Sequence, residues 1–118
     1  SILMQTLYEA DKVVKEKKEN GLFRTFYPDD QLMKEETYKH GKRDGTFTEY
    51  HDNGRWMMRP TKVGPDGAEK NDTERVLEGQ TKKREGQYKN DLQEGEWKEW
   101  DEKGKLIGTT VYKAGVAQ

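Results

Sequence analysis

Three stretches of the chain share one pattern: GLFRTFYPDDQL at 21–32, GTFTEYHDNGRW at 45–56 and GEWKEWDEKGKL at 95–106. Each opens on a glycine and carries an aromatic two residues on (Phe23, Phe47, Trp97) and a second three later (Phe26, Tyr50, Trp100). Each closes on a large apolar residue (Leu32, Trp56, Leu106), with a turn-like segment before it: PDDQ, HDNG or DEKG. The pattern continues at fixed offsets. Tyr38 and Gly41 follow the first stretch and Tyr112 and Gly115 the third, while Tyr88 precedes Gly95 with Asp91 standing where a glycine is expected. Gly21 to Gly45 is 24 residues, and so is Tyr88 to Tyr112. Gly45 to Gly95 is 50, two periods with two residues extra if a short divergent copy occupies the middle. Of the twelve aromatics, only Tyr8 and Tyr27 fall off the pattern, which chance clustering does not produce.

A period of this length is one supersecondary unit that cannot bury its apolar face alone, so neighbouring units must stack. The unit reads as a β-hairpin. TFTEY, EWKEW and GTTVYK are rich in aromatic and β-branched residues and are bounded by Gly, Asn and Asp, which is the composition of strands between turns. Asn53-Gly54 is the strongest single turn signal, because both residues tolerate the positive φ of tight hairpin turns; Pro28-Asp29-Asp30 and Glu102-Lys103-Gly104 occupy the equivalent places. Glycines recurring through 21–56 and 84–115 argue against helix. Aromatics three apart point to opposite faces of a strand. Two readings stay open: both faces are covered, or a bulge after the glycine restores the phase.

These residues resemble the MORN family, and within it the divergent bacterial variant, whose pattern runs glycine, aromatic, aromatic, turn ending in glycine, aliphatic, tyrosine, glycine. Gly45, Phe47, Tyr50, Gly54 and Trp56 follow it, as do Gly95, Trp97, Trp100, Gly104, Leu106, Tyr112 and Gly115; Asp30 replaces the turn glycine of the first copy. The resemblance implies an all-β chain of tandem antiparallel hairpins forming an elongated, rolled sheet. It also implies a scaffold or binding surface without catalytic residues. For the bacterial variant the implied role is that of an antitoxin or immunity partner of a secreted toxin, and for eukaryotic relatives membrane attachment or the organisation of complexes.

The expected organisation is one domain over 1–118, with clear repeats at 21–56 and 84–116. Residues 1–20 form a divergent segment, strand being slightly favoured over a charged helix. Residues 57–83 form an insertion in which RVLEGQ supplies a further strand; its two readings are a lengthened hairpin with a mobile tip and a recognition loop.

Composition narrows the function. Leu, Ile, Val and Phe number only 18 of 118 residues, so the core is thin and the aromatics supply most of its area. The 22 basic and 23 acidic residues nearly cancel to a net charge of −1. Order is therefore expected despite the low apolar content. The same balance removes the net basic surface that general nucleic-acid binding needs, leaving only the local patch His40-Gly41-Lys42-Arg43. There is no Cys, hence neither a disulfide framework nor a thiolate zinc site. No apolar run is long enough to cross a bilayer, and SILMQTL lacks the form of a signal peptide. A cytoplasmic location is expected, with any leader removed before Ser1 beyond the reach of this sequence.

Chemistry is sparse. His40 and His51 lie beside turn glycines and read as solvated turn residues. No G-x-S-x-G elbow or G-x-x-x-x-G-K-[ST] loop occurs. Carboxylate pairs such as Glu35-Glu36 are expected by chance in a chain that is 38% charged. Asn71-Asp72-Thr73 is a formal glycosylation sequon, meaningful only in a secreted eukaryotic protein. No catalytic, metal or cofactor residues are assigned. The candidate partner-binding residues are Tyr50, Trp56, Trp97 and Trp100 on the strands and Pro65 and Asp66 in the insertion, with a protein partner favoured over nucleic acid. The expected function is a non-enzymatic protein-binding module, its most concrete form an antitoxin or immunity protein. The alternative is a self-associating structural or membrane-complex scaffold, and an enzyme ranks last.

Overall fold

The computed structural model describes residues 8–9, 12–13, 18–61 and 72–118. Its strands are β1 (Tyr8–Glu9), β2 (Lys12–Val13), β3 (Gly21–Phe26), β4 (Leu32–Lys39), β5 (Lys42–Tyr50), β6 (Arg55–Pro60), β7 (Thr73–Glu78), β8 (Lys82–Lys89), β9 (Leu92–Trp100), β10 (Leu106–Lys113) and β11 (Val116–Ala117). The described residues contain no helix. Seven strands form one antiparallel sheet in the order β11-β10-β9-β8-β5-β4-β3, while β1–β2 and β6–β7 are separate two-stranded pairs. The sheet is open, not closed on itself. A radius of gyration of 19.4 Å, against about 13–14 Å for a compact domain of this length, makes the molecule elongated.

Three hairpins stack side by side: β3–β4, β5–β8 and β9–β10. The second is interrupted. A backbone bond from Tyr27 N–H to the Gln31 carbonyl (2.8 Å) closes the first long turn, and Asp101 N–H to the Lys105 carbonyl (2.9 Å) closes the third. The matching bond in the middle runs from His51 N–H to the Thr81 carbonyl (2.9 Å). Thr81 therefore takes the place of Gln31 and Lys105, and the chain between Asp52 and Gln80 is an insertion into the turn of an otherwise ordinary unit. This corrects two expectations. Trp56 aligns in sequence with Leu32 and Leu106 but leaves the repeat sheet with β6, and among the described residues no divergent copy fills the middle. RVLEGQ does contribute to a strand, β7.

At the opposite edge the units are joined by two-residue turns with positive φ at both positions: His40 and Gly41, Asn90 and Asp91, Ala114 and Gly115. Asp91 (φ 68°) and Asp30 (φ 73°) stand in for glycine because aspartate, like asparagine, enters the left-handed region at modest cost.

Alternation sorts the aromatics. The pairings Phe23↔Glu36, Glu36↔Phe47 and Phe47↔Gly86 fix one face, and Tyr38, Tyr88, Trp97 and Tyr112 join it through ring contacts. Phe23 meets Tyr38 edge-on at 5.4 Å; Trp97 contacts Phe47 at 5.3 Å, Tyr88 at 5.0 Å and Tyr112 at 6.3 Å between centroids. Such pairs contribute about 0.5–1.5 kcal/mol each beyond their burial. Among the described residues only Phe47 and Trp97, each 3% exposed, are buried hydrophobics, so the core is as thin as the composition implies. Cations close it: Arg84 lies over Phe47 and Trp97, Arg43 over Tyr88, and Lys18 over Phe23 and Tyr38.

Bulges do occur, but none adds a residue between the paired aromatics of one strand. One class lies at the unit glycine, where β4–β5 shifts register between Glu36 and Tyr38 and β8–β9 between Glu85 and Gln87. The other leaves Met33, Lys83 and Ile107 as extra residues on the partner strand. The second aromatics therefore point away from the core: Phe26 is exposed, and Tyr50 and Trp100 are half-buried. Both faces of the sheet carry aromatics, but the second face is not covered: Phe26 is 53% exposed on it.

Candidate functional site

The long-turn edge gathers most of the side-chain hydrogen bonding. At its centre is Gln31, 2% exposed. Its amide nitrogen donates to Asp29 Oδ2 and Asp52 Oδ1, both at 2.7 Å, and its amide oxygen accepts from Gly54 N–H at 2.6 Å. One side chain thus ties the first turn to the root of the inserted hairpin. The Gln31 amide holds the Asp29 carboxyl below its ordinary value, while desolvation and the neighbouring Asp29 charge push Asp52 up. Gln80 works from the other root: its amide donates to the carbonyls of Leu32 (2.7 Å) and His51 (3.0 Å).

The hairpin β6–β7 then leans on the first turn. Trp56 Nε1 donates to the Asp29 carbonyl at 2.8 Å, and the Arg75 guanidinium stacks over the Trp56 ring at 3.9 Å while reaching Asp30 at 3.4 Å. Arg59 pairs with Glu78 across the hairpin. On the other side Asn53 binds Thr81 through both its amide atoms, and Asn53 and Thr81 both donate to the Glu102 carbonyl. The His51 ring sits 2.9 Å from the Trp100 carbonyl. Three turns and a hairpin base are thereby fused into one layer, and the hairpin projects from it with Met57 and Met58 exposed.

The sequence-derived candidates scatter across this arrangement. Trp56 is in the layer. Tyr50 lies next to it on the polar face: its carbonyl accepts from Tyr27 Oη at 2.6 Å and its hydroxyl reaches Glu35, with burial and then the Glu35 charge raising its pKa. Trp100 borders the same edge through the His51 contact. Trp97 is not on a surface at all; its indole is the centre of the core, its Nε1 donating to the Gln87 carbonyl at 3.0 Å. Pro65 and Asp66 lie outside the described residues. Gln31, Asp29, Asp52, Gln80 and Arg75 were not among the candidates, since a lone glutamine or arginine in a turn carries no pattern. Among the described residues no group of three or more His, Asp and Glu is placed to hold a metal ion, and no helix is long and apolar enough to cross a membrane. The polar face holds an open trough of about 500 Å³ lined by Thr46, Thr48, Glu85, Gln87, Glu96 and Lys98.

Such a fold is a repeat module: a single-layer antiparallel sheet of hairpins with one elaborated turn. The family model described as the MORN repeat variant matches at residues 19–40 and again at 93–114. Both matches begin at equivalent positions, Glu19 and Gln93, and end on the tight-turn residues His40 and Ala114, so each covers one hairpin. The unmatched hairpin between them is the one split by the insertion. Two of the chain's three hairpins are thus matched by the MORN repeat variant. Neither the curated proteins nor the solved structures contain a match to the chain.

Proposed function

We propose that the protein is a non-enzymatic partner-binding module that presents β6–β7 to another protein, and that its biological role is that of an antitoxin or immunity protein. The observation that carries the reading is the anchored hairpin. A two-stranded hairpin alone is marginal in water, yet here Gln31, Gln80, Asn53, Trp56 and Arg75 hold it to the sheet while Met57 and Met58 stay exposed. Fixing a surface before binding lowers the ordering cost of association, and methionines adapt to irregular apolar partners. Acidic and basic side chains surrounding them supply material for charge-matched, rapid pairing.

The test is affinity capture from source cells with mass spectrometry, wild type beside a Met57→Lys/Met58→Lys variant. One stoichiometric protein, lost in the variant, is the expected result. That protein is then expressed alone and with this chain; growth arrest relieved by co-expression identifies a toxin and its antitoxin. Equal capture by both proteins removes the hairpin from the interface, and a partner harmless to cells removes the antitoxin role.

A further inference from the structure

We propose that the two outer edges of the sheet are complementary and that a second copy of this chain adds its β3 to β10, head to tail. This goes beyond the hairpin-centred reading and uses a different surface, the two ends of the repeat array.

Among the described residues no strand pairs the outer side of β3, and the outer side of β10 is paired only at Tyr112 and Lys113, by the two residues of β11. Gln118 N–H donates to the Val111 carbonyl, which fixes the side to which Val111 presents its backbone groups. Two residues earlier, Thr109 presents its N–H and C=O to that same side, where no described residue meets them. Unpaired edges of this kind take up further strands.

The repeat itself dictates which strand fits. Inside the sheet, a strand of the β4 type (β4, β8) is always followed by one of the β5 type (β5, β9). β10 is of the β4 type and β3 of the β5 type, so each free edge is what the other edge lacks. Moving the interior pairing Glu35↔Thr48 along the repeat places Thr109 opposite Arg24 of the second copy, and Glu36↔Phe47 becomes Thr110 opposite Phe23. The Phe23 ring then stands beside Tyr112 as Trp97 stands beside Tyr88, continuing the aromatic row from one molecule into the next.

The side chains at the ends differ from those inside in the direction this requires. Across the β4–β5 joint, Thr37 and Thr46 touch through their hydroxyls at 3.2 Å, and the same positions at the β8–β9 joint are Gln87 and Glu96. At the two free edges they are Val111 and Leu22, each 48% exposed. Polar pairs inside are replaced by one apolar residue on each end, and these two meet only if β10 and β3 of different copies pair. Phe26, Leu106 and Ile107 flank the same edges and are exposed. β11, short and exposed, gives way where residues 18–20 of the incoming copy need its place. The contact is heterologous, so it generates an open series instead of a closed dimer.

The experiment blocks each edge separately. Leu22→Lys charges the β3 edge. Thr109→Pro removes the outward N–H of β10 while sparing its ladder to β9, the kind of position at which an edge strand tolerates proline. Wild type, studied by size exclusion with light scattering from about micromolar to about millimolar concentration, is expected to grow in mass with concentration. Each variant alone is expected to stay monomeric, and their equimolar mixture to give a dimer and nothing larger, because one good edge of each kind remains. A wild type that stays monomeric throughout overturns the proposal. A Leu22→Lys variant that still dimerises while Thr109→Pro does not overturns it too, in favour of β10 pairing with β10. If circular dichroism shows that Thr109→Pro has lost its sheet, Val111→Lys blocks the same edge and the mixing is repeated with it.

Discussion

Trp97 lies so close across Gly86 that no side chain fits between them: a Cβ on residue 86 would fall within the van der Waals shell of the indole ring. The matching position on β4 is Glu36, 4% exposed, opposite the smaller Phe47. The larger ring of the third unit thus depends on the absence of a side chain in the second. Gly86→Ala is expected to destabilise the protein by about 2–3 kcal/mol, the upper range for overpacking a tight site. Gly108→Ala is the control, because nothing lies within 4 Å of its Cβ position; it should change stability by less than about 0.5 kcal/mol. Urea unfolding of both variants checks this, and equal effects would refute the packing account.

Gln31 joins two carboxylates and a backbone N–H, and replacing it leaves all three without that partner. Gln31→Ala should cost about 1–2 kcal/mol, chiefly because the half-buried Gly54 N–H loses its acceptor. The sharper signature is local. Hydrogen exchange should accelerate in 55–60 and 73–78 by more than in β9, because the hairpin loses its tie while the sheet keeps its ladders. Uniform acceleration would mean that Gln31 supports the whole fold and not the hairpin in particular.

How much of this was legible beforehand depends on the physical origin of each feature. The hairpin period was, because burying a face on a repeated strand forces aromatics to recur, and the left-handed turns were, because Asp30 and Asp91 are among the few residues that replace glycine there. Asn53-Gly54 misled. Gly54 does not make a tight hairpin turn; it is glycine because a Cβ would lie 2.6 Å from Gln31 Oε1 and 2.7 Å from Leu77 Cδ1. Steric need and conformational need select the same residue and look identical in sequence. Trp56 misled for a related reason: it sits at the repeat offset, yet the bond that closes its turn joins His51 to Thr81, 30 residues further on, and no local pattern announces a partner that distant. The candidate site suffered most. Gln31 and Gln80 act through distances that only the fold creates, and Trp97 and Trp100, three apart, were separated into core and edge only by the strand's alternation.

Arg75 covers Trp56 at 3.9 Å and holds Asp30 at 3.4 Å, both partly exposed. Arg75→Ala is expected to cost no more than about 1 kcal/mol, the size of a cation–π contact at a wet site. Its effect on Trp56 should be plainer than its effect on stability. In a background with Trp100→Phe, where only buried Trp97 and Trp56 emit, the variant should show red-shifted emission and stronger quenching by iodide. An unchanged spectrum would mean that the guanidinium does not shield the ring.

Asp91 accepts from the backbone N–H of Arg43 at 2.8 Å and from its Nε at 3.2 Å, and the first of these bonds leads in lowering its carboxyl below the ordinary value. A carboxylate whose folded pKa is depressed stabilises the fold above its unfolded pKa, here about 3.9, and the contribution disappears as pH falls through the lower folded value. Asp91→Asn isolates the charge, because asparagine tolerates the same left-handed φ and keeps an acceptor oxygen. Wild type should therefore be the more stable of the two near neutral pH, with the gap narrowing below about pH 4 and closing once Asp91 is protonated. Added salt should shrink the gap at neutral pH, since the side chains of Asp91 and Arg43 are 46% and 34% exposed and open to screening. Denaturation midpoints measured across pH at two salt concentrations check both statements. A gap that persists at low pH would assign the effect to turn conformation and not to the ion pair.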